Sequence, residues 1–242
     1  MHKIGILLVA VVLLSCTGLP PAQAEIGPCG PVADAGVICG HGAGAARVVD
    51  GTTSPSGRLA FAWRSRSQPP SEIPDHDDVE SLLIRLADGV VLWRTRGDYW
   101  STGEARANRW DQSAAWSPNS RLAVETLDFR WWTEALRLYA IGPDDRLRVL
   151  DLKAVIEPAV RRHLRRMGKN ERDYAFSIFG SANGEAPHLT IDDSGVIRAL
   201  VLMVVPKSDP YVMLEVAFRV SPGDGPLAAR EVSVRRSRVK PW

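Results

Sequence analysis

Trp116-Ser117-Pro118-Asn119-Ser120-Arg121-Leu122-Ala123-Val124 is the stretch whose reading decides the fold. Proline presets φ for the second position of a tight turn, and Asn or Gly tolerates the positive φ that leads into a strand. The same turn chemistry stands at two other places. Ser54-Pro55-Ser56-Gly57 precedes Arg58-Leu59-Ala60-Phe61-Ala62-Trp63, and Asp192-Asp193-Ser194-Gly195 precedes Val196-Ile197-Arg198-Ala199-Leu200.

A hairpin follows each strand. Leu82 to Ala87 and Val90 to Arg94 flank Asp88-Gly89, a strong hairpin signal; Leu136 to Ile141 and Leu147 to Leu150 flank residues 142–145; Tyr211 to Val220 and Arg230 to Arg238 flank residues 221–226. The chain therefore reads as three diverged units of about 65 to 75 residues, each a turn, a strand and a hairpin. In the third unit Val212, Leu214, Val216, Phe218 and Val220 alternate with Glu215 and Arg219, the period of a half-buried antiparallel strand. Ala199 to Val205 is continuously apolar, which predicts a central strand covered on both faces.

One segment departs from this texture. Leu152, Val155, Ile156, Ala159, Val160, Leu164 and Met167 fall at helical spacing, with Asp151 to cap the start, Gly168 to end it and arginines at the negative end of the dipole. Pro158 requires either a kinked first turn or a helix that begins at the proline itself. The expected fold class is mainly β: antiparallel sheets in three diverged propeller-blade-like repeats, with one inserted amphipathic helix.

The two Ser-Pro turns with their apolar strands resemble the turn-plus-strand motif of periplasmic Tol-type β-propeller repeats, where Ser-Pro-Asp-Gly leads the strand. The family's Asp is Ser56 in the first unit and Asn119 in the second, and the third has Asp193 in place of Pro. The resemblance implies a propeller-like or sandwich-like assembly of sheets and carries no binding residues across.

The start of the chain predicts export. Met1-His2-Lys3 is followed by the 11-residue apolar run Ile4 to Leu14, too short to span a bilayer, and then by Ala22-Gln23-Ala24, a signal-peptidase site that would cut before Glu25. Leu13-Leu14-Ser15-Cys16 is a competing lipobox, in which Cys16 would be acylated and anchor the protein in the envelope. Residues 1–24 are thus read as a signal peptide, 25–46 as a Gly/Ala-rich, loosely ordered arm, and 47–242 as one β-rich domain with no transmembrane segment after processing. Cys29 and Cys39 are the remaining cysteines, and in an exported chain they predict one disulfide.

Thirty Lys+Arg against 28 Asp+Glu leave a net charge of +2, so nothing points to nucleic acid. Serine-hydrolase elbow, zinc-protease, Walker and dinucleotide motifs are all missing, which lowers the expectation of an enzyme; no cofactor is predicted. Three candidates for chemistry remain. Asp75, His76, Asp77 and Asp78 could hold a cation through oxygen and imidazole ligands, although the spacing matches no calcium-loop template and a solvated loop is the simpler reading. Eight tryptophans are present, and Trp100, Trp110 and Trp132 could offer a binding platform, while core packing would explain the rings as well. The basic run Arg235 to Lys240 could dock an acidic surface or protect an edge strand. The leading expectation is an exported, periplasmic or secreted, non-enzymatic β-rich protein that presents a Trp- and Arg-bearing surface to an envelope protein or polysaccharide. The alternatives are an envelope-polymer hydrolase using carboxylates of residues 75–80, and a carbohydrate-binding module.

Overall fold

The structure is a computed structural model that describes residues 26–33, 36–65, 67–70, 78–95, 110–129, 132–179, 188–206, 211–221 and 225–239. It is mainly β, with three antiparallel sheets and one helix. Sheet 1 contains β1 (Cys29–Val32), β2 (Gly36–Cys39), β3 (Ala46–Val48), β4 (Leu59–Ser65), β5 (Val79–Arg85) and β6 (Val91–Thr95) in sequence order. Sheet 2 contains β7 (Trp110–Trp116), β8 (Leu122–Phe129), β9 (Trp132–Ile141) and β10 (Leu147–Asp151). After helix α1 (Lys153–Arg166), sheet 3 contains β11 (Ala175–Ile178), β12 (Leu189–Ile191), β13 (Val196–Val204), β14 (Tyr211–Ser221) and β15 (Ala228–Arg236).

The three turns are built alike. Gly57, Ser120 and Gly195 adopt φ of 70°, 61° and 77°, and each donates its N–H to the first residue of its turn at 2.8 to 2.9 Å. Ser54 Oγ, Ser117 Oγ and Asp192 Oδ1 then accept the N–H of Leu59, Leu122 and Val196, the first residue of each following strand. The strand before each turn pairs with the strand after it: β3 with β4, β7 with β8, β12 with β13. Each unit is thus a four-stranded meander, one strand richer than the sequence pattern predicts. Residues 110–116 form β7, with Trp116 and Ala114 packed into the apolar layer beneath them.

Consecutive sheets stack. Leu59, Phe61 and Leu83 of sheet 1 meet Ala123, Tyr139 and Ile141 of sheet 2, with Phe61 against Tyr139 at 5.5 Å between ring centroids. The opposite face of sheet 2, including Leu122, Val124, Leu136 and Leu138, packs on sheet 3 and on Ile156, Val160 and Leu164 of α1. The turns are also tied in order: Ser56 N donates to Ser120 Oγ, and Asn119 N donates to Asp193 Oδ1, both at 2.9 Å. Buried Asp145 of sheet 2 clamps Arg58 and Arg85 of sheet 1 at 3.0 and 2.8 Å. Among the described residues the sheets close into neither a barrel nor a propeller.

The two ends of this stack differ. At the sheet 1 end, the arm expected to be loosely ordered forms β1 to β3 and curls over the outer face. Ile26 N donates to Gly89 O and Cys29 N to Leu86 O, so the start of the arm returns to the β5–β6 turn. That approach requires glycine: a Cβ on Gly89, where φ is 69°, would stand 2.0 Å from Gly27 O. Ala60, Ala62, Leu82 and Ile84 are fully buried as a result, and the Cys29–Cys39 disulfide joins directly opposed residues of β1 and β2. At the sheet 3 end nothing described covers the outer face. β13 therefore alternates buried and half-buried residues along Ala199 to Val204, in place of the double covering its apolar run predicts. Strands covered on both faces include β4, whose residues Leu59 to Trp63 are all buried, and β8, whose residues Leu122 to Asp128 are all buried although Glu125, Thr126 and Asp128 are polar.

Helix α1 follows its amphipathic pattern, with Ile156, Ala159, Val160 and Leu164 buried. Asp151 Oδ1 accepts the Ala154 N–H, and Gly168 at φ 72° ends the helix while Lys169 N returns to Leu164 O. Pro158 lies inside the helix, not at its first position. The first turn survives because Leu152 is fully buried and its N–H bonds to Leu136 O of β9.

Candidate functional site

Of the residues proposed from sequence to hold a cation, Asp75, His76 and Asp77 lie outside the described residues. Asp78 accepts hydrogen bonds from Ser65 Oγ, from Ser67 N at 2.9 Å and from Ser67 Oγ at 2.6 Å, so its carboxylate organises the end of β4. No group of three His, Cys, Asp or Glu residues suited to a metal forms among the described residues. Cys16 and Trp100 lie outside the described residues, as does the Trp110 side chain, although its backbone heads β7. Trp132 is half-buried, packs against Phe129 with ring centroids 4.6 Å apart and planes tilted by 41°, and donates Nε1–H to Glu134 Oε2 at 2.9 Å.

Glu80, an acid–base candidate in the hydrolase alternative, sits in β5 rather than in a loop. Burial works to raise its pKa, but hydrogen bonds and charge attraction from Arg94 and Arg64 outweigh it and hold the carboxyl below its ordinary range. The stabilisation from this ionised network is complete above pH about 4.5, the unfolded-state value, and is lost as pH falls through the lowered folded value. Glu80→Gln is therefore expected to flatten part of the acid limb of stability in urea titrations run between pH about 5 and 2.5. Equal acid sensitivity in the variant would remove the network from the account.

Two places have the geometry of binding sites. The first is the outer face of sheet 3, which no described element covers and where a groove of about 530 Å³ is lined by Thr190, Ala217, Ser233, Arg198, Arg235 and His188 among others. Glu215 is the carboxylate of this face and pairs with Arg235 at 2.6 Å; Asp192 approaches Arg198 at 3.5 Å. Two residues along β14 from Ala217, Arg219 stands directly opposite Arg230 of β15, both exposed, and neither has an ion-pair partner among the described residues. Like charges at opposed cross-strand positions destabilise a sheet by roughly 0.2 to 1 kcal/mol, so this pair costs stability in the free protein.

The second place is a cleft of about 210 Å³ between β6 and the β9–β10 pair, beside the start of α1. Trp93, Glu134, Arg137, Asp151 and Lys153 line it. Its wall is held from behind by a buried cluster on the face of sheet 2 that meets sheet 1. Glu125, fully buried, accepts Tyr139 O–H at 2.6 Å, Gln112 Nε2–H at 2.6 Å and Arg137 Nη1–H at 3.3 Å. Burial pushes the Glu125 pKa above the ordinary carboxylate value, against the lowering effect of Tyr139, Arg137 and Gln112, and it pushes the Tyr139 pKa up as well.

Sequence reasoning placed neither site. Arg219 faces Arg230 only because of a bulge between Ala217 and Phe218, and bulge positions are not written in hydrophobic periodicity. The basic run at the C-terminus was the available signal for the first. For the second, Trp93 lies inside the hairpin strand Val90 to Arg94, where nothing in the sequence separates it from a packing residue.

No protein-family model, no curated protein and no solved structure matches the chain. Among the described residues the fold is a stack of antiparallel meanders with one end covered by the arm and one arginine-bearing end uncovered. No helix among the described residues is long and apolar enough to cross a membrane, and the Cys29–Cys39 bond fits an oxidising compartment.

Proposed function

We propose that this chain is an exported, non-enzymatic binding protein, built from three blade-like repeats, that receives the acidic surface of a partner protein on the outer face of sheet 3. The observation that carries this reading is the opposed Arg219 and Arg230, without ion-pair partners among the described residues, beside the Arg198 and Arg235 groove, on the end of the stack that no described element covers. Four guanidinium groups against the carboxylates of Glu215 and Asp192 make a face whose charge is completed by carboxylates from outside. A sheet that keeps a destabilising pair across neighbouring strands has a use for it. The N-terminal leader, the Ala22-Gln23-Ala24 site and the disulfide support export, with acylation of Cys16 as the alternative route to the envelope.

Photo-crosslinking from a photoreactive residue at Ser233, in the envelope of the native cell, tests this directly, together with titration of a short polyglutamate peptide against the purified protein. The adduct and the peptide binding are expected to disappear in Arg219→Ser/Arg230→Ser and to weaken with added salt, while the free variant gains roughly 0.2 to 1 kcal/mol in stability. Adducts that persist unchanged in that variant would discard the reading.

A further inference from the structure

The cleft beside the start of α1 is independent of the sheet 3 face, and its chemistry is different. Glu134 and Asp151 bring two carboxylates, Arg137 and Lys153 bring two cations, and Trp93 is 38% exposed at the margin. Several of these groups are already oriented. Trp93 meets Tyr139 at 6.4 Å with ring planes 75° apart, Lys153 Nζ donates to Glu134 O at 2.9 Å, and Arg137 is held by buried Glu125. Glu134 Oε1 and Asp151 Oδ2 have no partner among the described residues.

A balanced set of charges does not select an anion, and a lining so rich in charge does not select a hydrocarbon. A ligand that donates hydrogen bonds to carboxylates, accepts them from a guanidinium and an ammonium, and has an apolar C–H face to lay on an indole satisfies every member of the set. We infer that this cleft binds a single neutral pyranose ring: one face stacks on Trp93, hydroxyls donate to Glu134 and Asp151, and Arg137 and Lys153 donate to its oxygens. The volume of about 210 Å³ suits one ring rather than an extended chain. Glu125 is the positioning residue, since its buried carboxyl accepts from Arg137 Nη1 and fixes that guanidinium at the cleft wall.

The test uses the full mature chain and a panel of glucose, galactose, mannose and N-acetylglucosamine, with glucuronate as the acidic member, followed by calorimetry and tryptophan fluorescence. At least one neutral sugar is expected to bind with Kd of about 10 mM or tighter, and Trp93→Ala to weaken it about tenfold. Glu125→Gln, which keeps the volume but replaces one acceptor oxygen of the carboxyl with an amide, is expected to weaken the same sugar while circular dichroism stays unchanged. Arg219→Ser/Arg230→Ser leaves sugar binding intact, which separates this site from the sheet 3 face. The inference is overturned if no neutral sugar binds, if glucuronate alone binds, or if Trp93→Ala binds as the unsubstituted chain does.

Discussion

Glu125→Ala is expected to lower the unfolding free energy by about 3 to 5 kcal/mol, the range for removing one member of a buried charged cluster. The substitution strands the Tyr139 hydroxyl and the Gln112 amide in the interior and leaves Arg137 without its acceptor there. It also opens space between sheets 1 and 2, where Phe61 and Tyr139 are fully buried. A fall in Tm on the order of 10 °C follows for a chain of this size. Tyr139→Phe removes one donor and keeps the ring, so its cost is about 1 to 3 kcal/mol.

The pH dependence identifies the same group. Because burial raises the Glu125 pKa, the folded chain holds this proton more tightly than the unfolded chain does. Its contribution is fully present below pH about 4.5 and declines as pH rises through the folded value. Glu125→Gln carries no such decline, so the stability gap between it and the unsubstituted chain narrows as pH rises. Urea melts at several pH values read this out, and a constant gap would show that Glu125 does not titrate differently on folding.

Replacing both Cys29 and Cys39 by Ala is expected to cost about 3 kcal/mol, the loop-closure value for a cross-link that spans ten residues of sequence. The effect is local in origin. The hairpin β1–β2 and its return contacts at Gly89 and Leu86 cover Ala60, Ala62, Leu82 and Ile84. Without the cross-link this cover opens more often, and hydrogen exchange in β1 to β3 accelerates while β8 and β14 keep their protection. Uniform acceleration through all three sheets would show instead that the arm unfolds only with the whole chain.

How much of this was legible beforehand differs from element to element. The turns at 54, 117 and 192 were readable because Pro, Asn, Gly and Asp act within four residues of chain, and their geometry recurs with the same hydrogen bonds. The helix was readable because its buried face repeats within one element. Strand β7 was not, since Asp111-Gln112-Ser113 looks polar until Gln112 is seen to serve Glu125. For the same reason β8 concealed its depth: its carboxylate is satisfied by residues 12 to 14 positions away.

Local composition by itself determined that this protein is a β-rich chain with three similar turns, one amphipathic helix and one disulfide, because each of these depends on neighbours close in sequence. Only the tertiary structure decided which sheet is covered twice, which end of the stack is sealed by the arm, and which arginines and carboxylates share a face. Those depend on register and on contacts between residues 60 to 90 positions apart, such as Arg85 with Asp145 or Asn119 with Asp193. Register is a collective property of paired strands, and no single strand carries it.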